Sequence, residues 1–343
     1  MLLRLHPDLR PLIADALRAP QPPVTAETLD AQRRRSEAFA KPVRDDVPIA
    51  ERIVPAADPV RIYVVNAADG ARRPGILHMH SGGFISGSAG RDLRTLQDMA
   101  LALGCTIVTV DYRLAPETTW RGSLEDNYAA LRWLYANAAE LGVDAERIAV
   151  MGESAGGGHA ALLAITARDR GEVPIAFQCL TYPMLDDRTG SSRRAPAHIG
   201  AFGWTEASNR FAWSSFLGQE AGGAGVPRDA APARARSLEG LPPTWIGVGD
   251  LDLFVLENLA FAQRLVTAGV PTEFHLVPGA FHGFDVIAEG VPVVEAFCRA
   301  RLAALRRGLG LPIAEPDLRE GRSGRPSAGR SGRGDAGVLE ETS

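Results

Sequence analysis

Cysteine is scarce in this chain. The three cysteines, Cys105, Cys179 and Cys298, are odd in number, far apart and set among apolar residues. Such thiols do not build a disulfide framework, and without a cysteine cluster they do not form a structural zinc site. Isolated apolar thiols are typical of a reducing compartment, so we expect a cytoplasmic protein.

A long apolar run is also lacking. A helix that crosses a bilayer needs about 20 mostly apolar residues, and no stretch of this sequence approaches that length. The start, MLLRLHPDLRPLIADALRAP, carries acidic residues and prolines where a signal peptide requires a continuous apolar segment. We therefore expect neither a membrane partner nor a signal peptide.

Neither sign of charge dominates the sequence. The 37 basic and 41 acidic residues give a net charge of −4, and both signs are scattered along the body of the chain. Such a chain presents no basic face to nucleic acid or to anionic lipid. The expected partner is therefore a small molecule. The chain length of 343 residues suits one large α/β domain with an accessory lid.

Short β-branched runs alternate with helical patterns through most of the chain. The helical patterns lie near residues 90–103, 123–140, 155–169 and 255–268. The predicted strands between them are PGILHMH, CTIVTVD, RIAVMG, IAFQCLTY, TWIGVGD and TEFHLVP. This alternation predicts an α/β fold with a mostly parallel central sheet that helices cover on both faces.

Three segments stand apart from this pattern. Residues 1–50 have a helical pattern and a proline-marked stretch but no strand, and residues 186–240 are aromatic and irregular, which indicates an insertion. The α/β core is then expected at 51–185 and 241–312. The tail at 315–343 is rich in Gly, Arg and Ser, so it cannot bury enough apolar surface to order itself, and we expect disorder there.

The most specific chemical motif is GESAG, residues 152–156. An apolar strand runs into it and an alanine-rich helix follows directly, which is the context of a nucleophile elbow that presents the hydroxyl of Ser154. The amide of Ala155 then lies at a helix N-terminus, where it can bind a developing oxyanion. An ordinary glycine-rich turn is the alternative, and a phosphate-binding loop is excluded because no Gly-Lys-Ser/Thr follows.

A serine nucleophile needs a base and an acid, which follow it in the order acid, then histidine, in this type of hydrolase. Of the seven histidines, His282 is the one in a glycine-flanked turn after the serine and beyond a predicted strand. Two carboxylates, Asp250 and Asp252, follow the preceding strand, and either can orient the imidazole. We favour Asp252 and leave Asp250 open.

These motifs together resemble a known family. HSGGF, DYRLAPE, LEDNYAALRWL, ERIAVMGESAGG, GDLDLF and FHGF occur in the order and approximate spacing of the hormone-sensitive-lipase-like bacterial esterases, over roughly residues 60 to 300. The resemblance implies an α/β-hydrolase fold with a helical cap, formed here by residues 1–50 and 186–240. It implies a nucleophile at Ser154, an acid at Asp252 and a base at His282.

The family's oxyanion loop normally reads His-Gly-Gly-Gly, and two of its amides join the amide that follows the nucleophile. Carried over, the donors are Gly82, Gly83 and Ala155, and Ser81 replaces the first glycine. Under this interpretation His80 is the hinge of the loop. The alternative is a metal pair of His78 and His80, which is weaker because HMHSGGF supplies no further ligands, so we expect no metal and no cofactor.

Four aromatic residues are candidates for contact with substrate. Phe84 and Tyr182 each end a strand or loop at the carboxyl side of the sheet, where ligands of α/β proteins bind. Phe202 and Trp204 belong to the insertion, which the resemblance implies shapes the acyl pocket, although they can equally be the cap's own core. The DYR of DYRLAPE is read as a brace under the site.

The sequence thus predicts a serine carboxylesterase that acts on small esters with short to medium acyl chains through an acyl-enzyme. Two alternatives stay open. The same site can serve an amidase, lactonase or arylformamidase, and a non-catalytic ligand receptor can be built on this fold. The resemblance also makes a homodimer through an edge strand or terminal helix an expectation.

Overall fold

The fold is organised around a twisted, mostly parallel β-sheet. The computed structural model of the protein describes residues 2–13 and 22–312. The tail predicted at 315–343 and part of the N-terminal segment, 14–21, lie outside these residues. Within the described part no helix is long and apolar enough to span a bilayer.

The strands and helices alternate as the sequence predicts. The strands are β1 (Ile49–Val54), β2 (Val60–Val65), β3 (Arg73–Met79), β4 (Thr106–Asp111), β5 (Val143–Glu153), β6 (Phe177–Thr181), β7 (Thr244–Gly249) and β8 (Thr272–Val277). The helices are α1 (Leu29–Glu37), α2 (Leu93–Leu103), α3 (Trp120–Ala136), α4 (Ala155–Arg170), α5 (Glu206–Leu217), α6 (Val255–Thr267), α7 (Phe284–Ile287) and α8 (Pro292–Gly308).

The described strands form one eight-stranded sheet in the order β1-β2-β4-β3-β5-β6-β7-β8. The pairs β1 with β2 and β2 with β4 are antiparallel, and all later pairs are parallel. Parallel strands need crossover helices, so both faces of the sheet are covered. This confirms the fold class expected from the sequence.

Neighbouring strand residues belong to opposite faces, because side chains alternate along a strand. Val108 packs in a cluster with Leu131 of α3 and Phe261 of α6. Its neighbour Ile107 packs in a second cluster with Phe297 of α8. The two clusters place α3, α4 and α6 on one face of the sheet and α2 and α8 on the other.

A third apolar cluster lies at the carboxyl ends of the parallel strands. It contains Phe84 after β3, Ala155 after β5 and Phe254 after β7. Leu29 of α1 and Trp213 of α5 pack in the same cluster. The N-terminal segment and the insertion therefore share one apolar core with the loops that follow the strands.

The structure adds elements that the sequence patterns did not predict. Strand β1 starts at Ile49, and its polar residues Glu51 and Arg52 are exposed, so it lacks a clear apolar alternation. Helix α8 was also missed, although Val294, Phe297 and Leu305 form a buried stripe along it. The insertion is not wholly irregular, since α5 forms within it behind an N-cap in which the Thr205 hydroxyl accepts from an amide.

Candidate active site

Ser154 occupies a strained turn between β5 and α4. Its backbone angles are φ 55° and ψ −118°, in a region that L-residues rarely adopt and that costs about 1 to 3 kcal/mol. Added Cβ atoms would lie 2.3 Å from the carbonyl carbon of Gly156 at Gly152, and 2.0 Å from the carbonyl oxygen of Met79 at Gly156. Both positions therefore require glycine, and the tight turn places Ser154 at the carboxyl end of the sheet.

His282 joins Ser154 to a buried carboxylate. Its Nε2 lies 2.9 Å from the Ser154 Oγ, and its Nδ1 lies 2.8 Å from Oδ2 of Asp252. Asp252 is fully buried. Since a carboxylate accepts the proton on Nδ1, the neutral ring keeps an unprotonated Nε2, which can accept the serine hydroxyl.

The two aspartates after β7 have different partners. Asp252 Oδ1 accepts from the amide of Phe254 at 2.8 Å, which leaves Oδ2 directed at His282. Asp250 Oδ1 instead accepts from the amide of Gly279 at 2.6 Å. The structure therefore brings Asp252 to the imidazole and uses Asp250 to fasten the loop that follows β8.

Aromatic rings and backbone hold the imidazole of His282 in place. The rings of Tyr182 and Phe254 approach it edge to face, with centroids at 4.8 Å and 5.0 Å. Gly203 of the insertion packs so closely that a Cβ there would lie 2.5 Å from the His282 carbonyl oxygen. The insertion thus contacts the histidine directly.

The loop after β3 turns two carbonyl groups inward. The Nδ1 of His80 lies 2.9 Å from the carbonyl oxygen of Ser81. The Gly82 carbonyl accepts from the amide and the hydroxyl of Ser86 at 3.0 Å and 2.9 Å. Because the N–H and C=O of a planar trans peptide point in opposite directions, the amides of Gly82 and Gly83 are turned away from these partners.

Three amides near Ser154 have no acceptor among the described residues: those of Gly82, Gly83 and Ala155. The Ala155 amide begins α4, where the helix dipole adds to its attraction for an anion. The ring of Trp204 lies against Gly83, where a Cβ would approach it to 2.6 Å. Backbone donors that have no acceptor within the protein are able to bind a negative oxygen.

The two histidines of HMH, His78 and His80, contact different residues. His78 lies 2.9 Å from the hydroxyl of Thr109 through Nδ1 and 2.9 Å from Glu153 through Nε2. His80 is fully buried, and burial, followed by the charge of Arg91, lowers its pKa to about 4. A neutral His80 donates from Nδ1 to the loop, so the imidazoles of this pair do not converge on one point.

The predicted substrate residues lie at different depths. Phe84 is 2% exposed and stacks on Phe216 at 4.0 Å, so it packs inside the third cluster and not on an open wall. The Tyr182 hydroxyl donates to Asp285, and Phe202 is buried against Phe281. Of the four, only Trp204 is partly exposed and touches the loop of free amides.

The DYR segment braces the floor of the site. The Tyr112 hydroxyl donates to the His80 carbonyl at 2.7 Å, and its ring stacks on the His80 imidazole at 4.1 Å. Asp111 accepts from the amide of Ala89 at 3.1 Å, which fastens the far end of the loop. Arg113 pairs with the buried Asp126.

A buried ionic network that the sequence analysis missed lies beside the site. Arg301 of α8 lies 3.4 Å from Glu153 and 3.7 Å from Asp285. Burial acts to raise the pKa of Glu153, but His78 and Arg301 hold it below its usual value. Burial raises the pKa of Asp285, whose other partner is the Tyr182 hydroxyl at 2.6 Å. The network therefore connects the residue before Ser154 with the ring that contacts His282.

Comparison with known proteins gives concordant results. A family model described as the alpha/beta hydrolase fold matches residues 76–286. The chain is 34% identical over 286 residues to esterase LipI of Mycobacterium tuberculosis, covering 81% of this chain and 88% of that protein. It is 36% identical over 260 residues to carboxylesterase NlhH of the same species, covering 73% and 78%.

Solved structures agree with these relatives. The structure of a bacterial heroin esterase superposes with a TM-score of 0.81 at 36% identity, over 90% of this chain and 99% of that one. Esterase LipW of Mycobacterium marinum superposes with a TM-score of 0.72 at 33% identity, over 90% and 96%. The chain therefore belongs to the hormone-sensitive-lipase-like family of bacterial esterases in the α/β-hydrolase fold, and it is a carboxylic ester hydrolase.

Proposed function

We propose that the protein is a serine carboxylesterase that hydrolyses short- to medium-chain acyl esters through an acyl-enzyme on Ser154. The observation that carries this proposal is the continuous contact from Ser154 Oγ to His282 Nε2 and from His282 Nδ1 to Asp252. It links a nucleophile, a base and an orienting acid in the order that acyl transfer requires.

In the first half of the reaction, the Ser154 oxygen attacks the ester carbonyl as His282 Nε2 takes the hydroxyl proton. The carbonyl oxygen becomes an oxyanion, which accepts from the amides of Gly82, Gly83 and Ala155. His282 then gives its proton to the leaving alcohol as the carbon–oxygen bond breaks. Buried Asp252 stabilises the imidazolium that forms in between.

In the second half, water replaces the alcohol. His282 takes a proton from the water as its oxygen attacks the acyl carbon, and the same amides stabilise the second oxyanion. The Ser154 oxygen leaves and recovers its proton from His282, which releases the carboxylic acid. Each donor amide is expected to contribute about 3 kcal/mol to lowering the barrier.

The preference for short acyl chains rests on the surroundings of the free amides. Trp204 lies against Gly83, and its Nε1 donates to Asn209 at 3.0 Å, so its ring is held over the loop. Behind the loop, the rings of Phe84 and Phe216 are stacked and buried, so these two side chains fill the space there. The ethyl acetate hydrolase of Pseudomonas putida, 31% identical over 253 residues, is named for an ester with a short acyl group.

The test is a series of p-nitrophenyl esters from acetate to palmitate, measured as initial rates with wild type and Ser154→Ala, each with and without EDTA. We expect the highest rates on acetate to hexanoate, loss of at least about 1000-fold in Ser154→Ala, and no effect of EDTA. Matched anilides test the amidase alternative, and faster turnover of anilides than esters would replace the proposal. Location in the cytoplasm and a homodimer stay predictions, which fractionation and light scattering can check.

A further inference from the structure

The residue that opens the oxyanion loop is tied to the N-terminal segment through one arginine. Arg91 Nη2 donates to the Ser81 hydroxyl at 2.9 Å, and Arg91 Nη1 donates to the Ser36 hydroxyl at 2.9 Å. Ser81 is the position where the sequence departs from a glycine loop, and Ser36 lies near the end of α1. One planar guanidinium therefore bridges two hydroxyl groups from segments far apart in sequence.

The bridging guanidinium also pairs with the neighbouring carboxylate of Asp92. Asp92 accepts from Arg91 Nε at 2.7 Å and from Nη2 at 2.8 Å, and the Arg91 side chain is only 10% exposed. The Ser88 hydroxyl accepts from the Arg91 amide at 3.3 Å. Because Asp92 is the next residue in the chain, its carboxylate orients the plane of the guanidinium without tying it to another element, so the contacts with Ser36 and Ser81 decide how the guanidinium lies between α1 and the loop.

The hydroxyl contact lies one peptide away from the proposed oxyanion donors. The Ser81 carbonyl accepts from His80, so the following amide, that of Gly82, points the opposite way. Holding Ser81 from its side chain as well as its carbonyl leaves this peptide little freedom to rotate. The loop also closes tightly over the bridge, because a Cβ at Gly87 would lie 2.4 Å from the Ser81 carbonyl oxygen and 3.1 Å from Arg91 Nη1.

Helix α1 makes further contacts with the same loop. Arg33 Nε donates to the Ile85 carbonyl at 2.9 Å, and the Ser88 hydroxyl donates to Glu37 at 2.9 Å. Together with Ser36, these contacts place one face of α1 along the loop from Ser81 to Ser88. The N-terminal segment is therefore more than a cover over the site, since it has direct polar contacts with the loop that carries the free amides.

We propose that Arg91 is a positioning residue that couples helix α1 to the oxyanion loop by bridging Ser36 and Ser81. It contacts no reacting atom, and it acts by holding the Ser81–Gly82 peptide so that the amide is aimed before substrate arrives. The proposal rests on the proposed function, because it assumes that the Gly82 and Gly83 amides bind the oxyanion. Its effect therefore belongs to the transition state and not to binding of the ester.

The test compares Ser36→Ala, Ser81→Ala and the double variant on p-nitrophenyl acetate. Each single variant breaks one side of the bridge, so each is expected to lower kcat roughly tenfold with KM within about twofold. The double variant is expected to lose no more than either single variant, because both changes break the same coupling. Affinity for a trifluoromethyl ketone, which forms an oxyanion on the serine, should fall in parallel with kcat.

Ser237→Ala is the matched control, since it removes an exposed hydroxyl whose partner is the Glu239 amide, and it should keep the wild-type rate. Wild-type kcat in both single variants, or multiplied losses in the double variant, would overturn the coupling. The unfolding midpoint of each variant, measured in urea, shows that the fold is retained. Ser154→Ala run in parallel separates the two hypotheses, because an active Ser154→Ala contradicts the proposed function, whereas an inactive Ser154→Ala with fully active bridge variants contradicts the coupling alone.

Discussion

At the scale of single residues, the role of each polar side chain in the site depends on which of its atoms already has a hydrogen-bond partner. One oxygen of Asp252 accepts a hydrogen bond from the Phe254 amide, and the other lies against His282. Asp250 instead accepts from the Gly279 amide. Both aspartates follow the same strand, so their side chains differ in role only because the backbone of the turn directs them differently.

This difference gives the first prediction. Asp252→Asn should lower kcat for p-nitrophenyl acetate by about 1000-fold or more, because an amide favours the wrong imidazole tautomer. Asp250→Asn keeps an oxygen that can accept from Gly279, so its kcat should stay within about threefold of wild type. Initial rates of the two purified variants decide the matter, and equal losses would contradict the assignment of the acid.

How far such residues can be predicted depends on their local pattern. Ser154 and His282 could be predicted, because a glycine-flanked serine between strand and helix and a glycine-flanked histidine after the last strand are local features. The sequence favoured Asp252 over Asp250, and the turn geometry shows the separate contact that each aspartate makes. Arg301 could not be predicted, because an arginine on an amphipathic helix is usually exposed, and here burial depends on two distant carboxylates.

At the scale of elements, the loop after β3 and the insertion meet at Gly83 and Trp204. The Gly83 backbone has φ 63°, and a Cβ there would lie 2.6 Å from the Trp204 ring. Gly83→Ala should therefore displace either the ring or the amide, and we expect kcat for p-nitrophenyl acetate to fall roughly tenfold.

A second substitution, Trp204→Ala, shows how much of that loss comes from contact with the ring and how much from backbone strain. In a Trp204→Ala background the added methyl group has room, so Gly83→Ala should cost clearly less, with only the strain of positive φ remaining. The kcat values of the two single variants and the double variant form the cycle. Equal costs of Gly83→Ala in both backgrounds would show that the ring does not press on the loop.

Helix α8 contributes through the buried Arg301. Arg301→Met removes the cation between Glu153 and Asp285 and is expected to lower the free energy of unfolding by about 3 kcal/mol near neutral pH. The loss of the cation raises the carboxyl pKa values in the folded protein, so this destabilisation should grow as pH rises from 5 to 8.

Urea unfolding at the two pH values measures this effect. Arg299→Met is the control on the same helix, because Arg299 is exposed and its ion pair with Glu295 is long, at 3.6 Å. Its effect should stay within about 0.5 kcal/mol. A larger loss for Arg301→Met at pH 5 than at pH 8 would contradict the account of the network.

At the scale of the whole molecule, buried neutral histidines make stability depend on pH. Burial lowers the pKa of His159 to about 3, and burial with Arg91 lowers that of His80 to about 4, against an ordinary value of 6.5. Below 6.5 the unfolded chain takes up protons that the folded protein does not. The free energy of unfolding is therefore expected to fall as pH drops from 6.5 to 4, by about 1.4 kcal/mol per pH unit for each histidine.

His159→Leu tests this prediction. Neither ring nitrogen of His159 has a hydrogen-bond partner among the described residues, so leucine should be tolerated. The slope of unfolding free energy against pH between 6.5 and 4 should decrease by about 1.4 kcal/mol per pH unit. An unchanged slope in urea unfolding experiments would mean that His159 is not the group responsible.

The overall fold could be predicted where the strands are buried on both faces. Most of β4 and the second half of β5, IAVMG, read as apolar runs, and helix α3 between them has apolar residues at helical spacing, so the parallel sheet could be predicted. Strand β1 could not be predicted, because as an edge strand it buries little. The sharing of one apolar cluster by the N-terminal segment and the insertion depends on contacts between distant residues, which no local pattern encodes.

The most direct test of the central claim is covalent labelling with diethyl p-nitrophenyl phosphate, followed by peptide mass spectrometry and residual activity on p-nitrophenyl acetate. We predict one diethylphosphoryl group per chain, located on Ser154, with activity lost in proportion to labelling and no labelling of Ser154→Ala. Full activity after complete labelling of Ser154, or inactivation through a different residue, would contradict the proposed nucleophile.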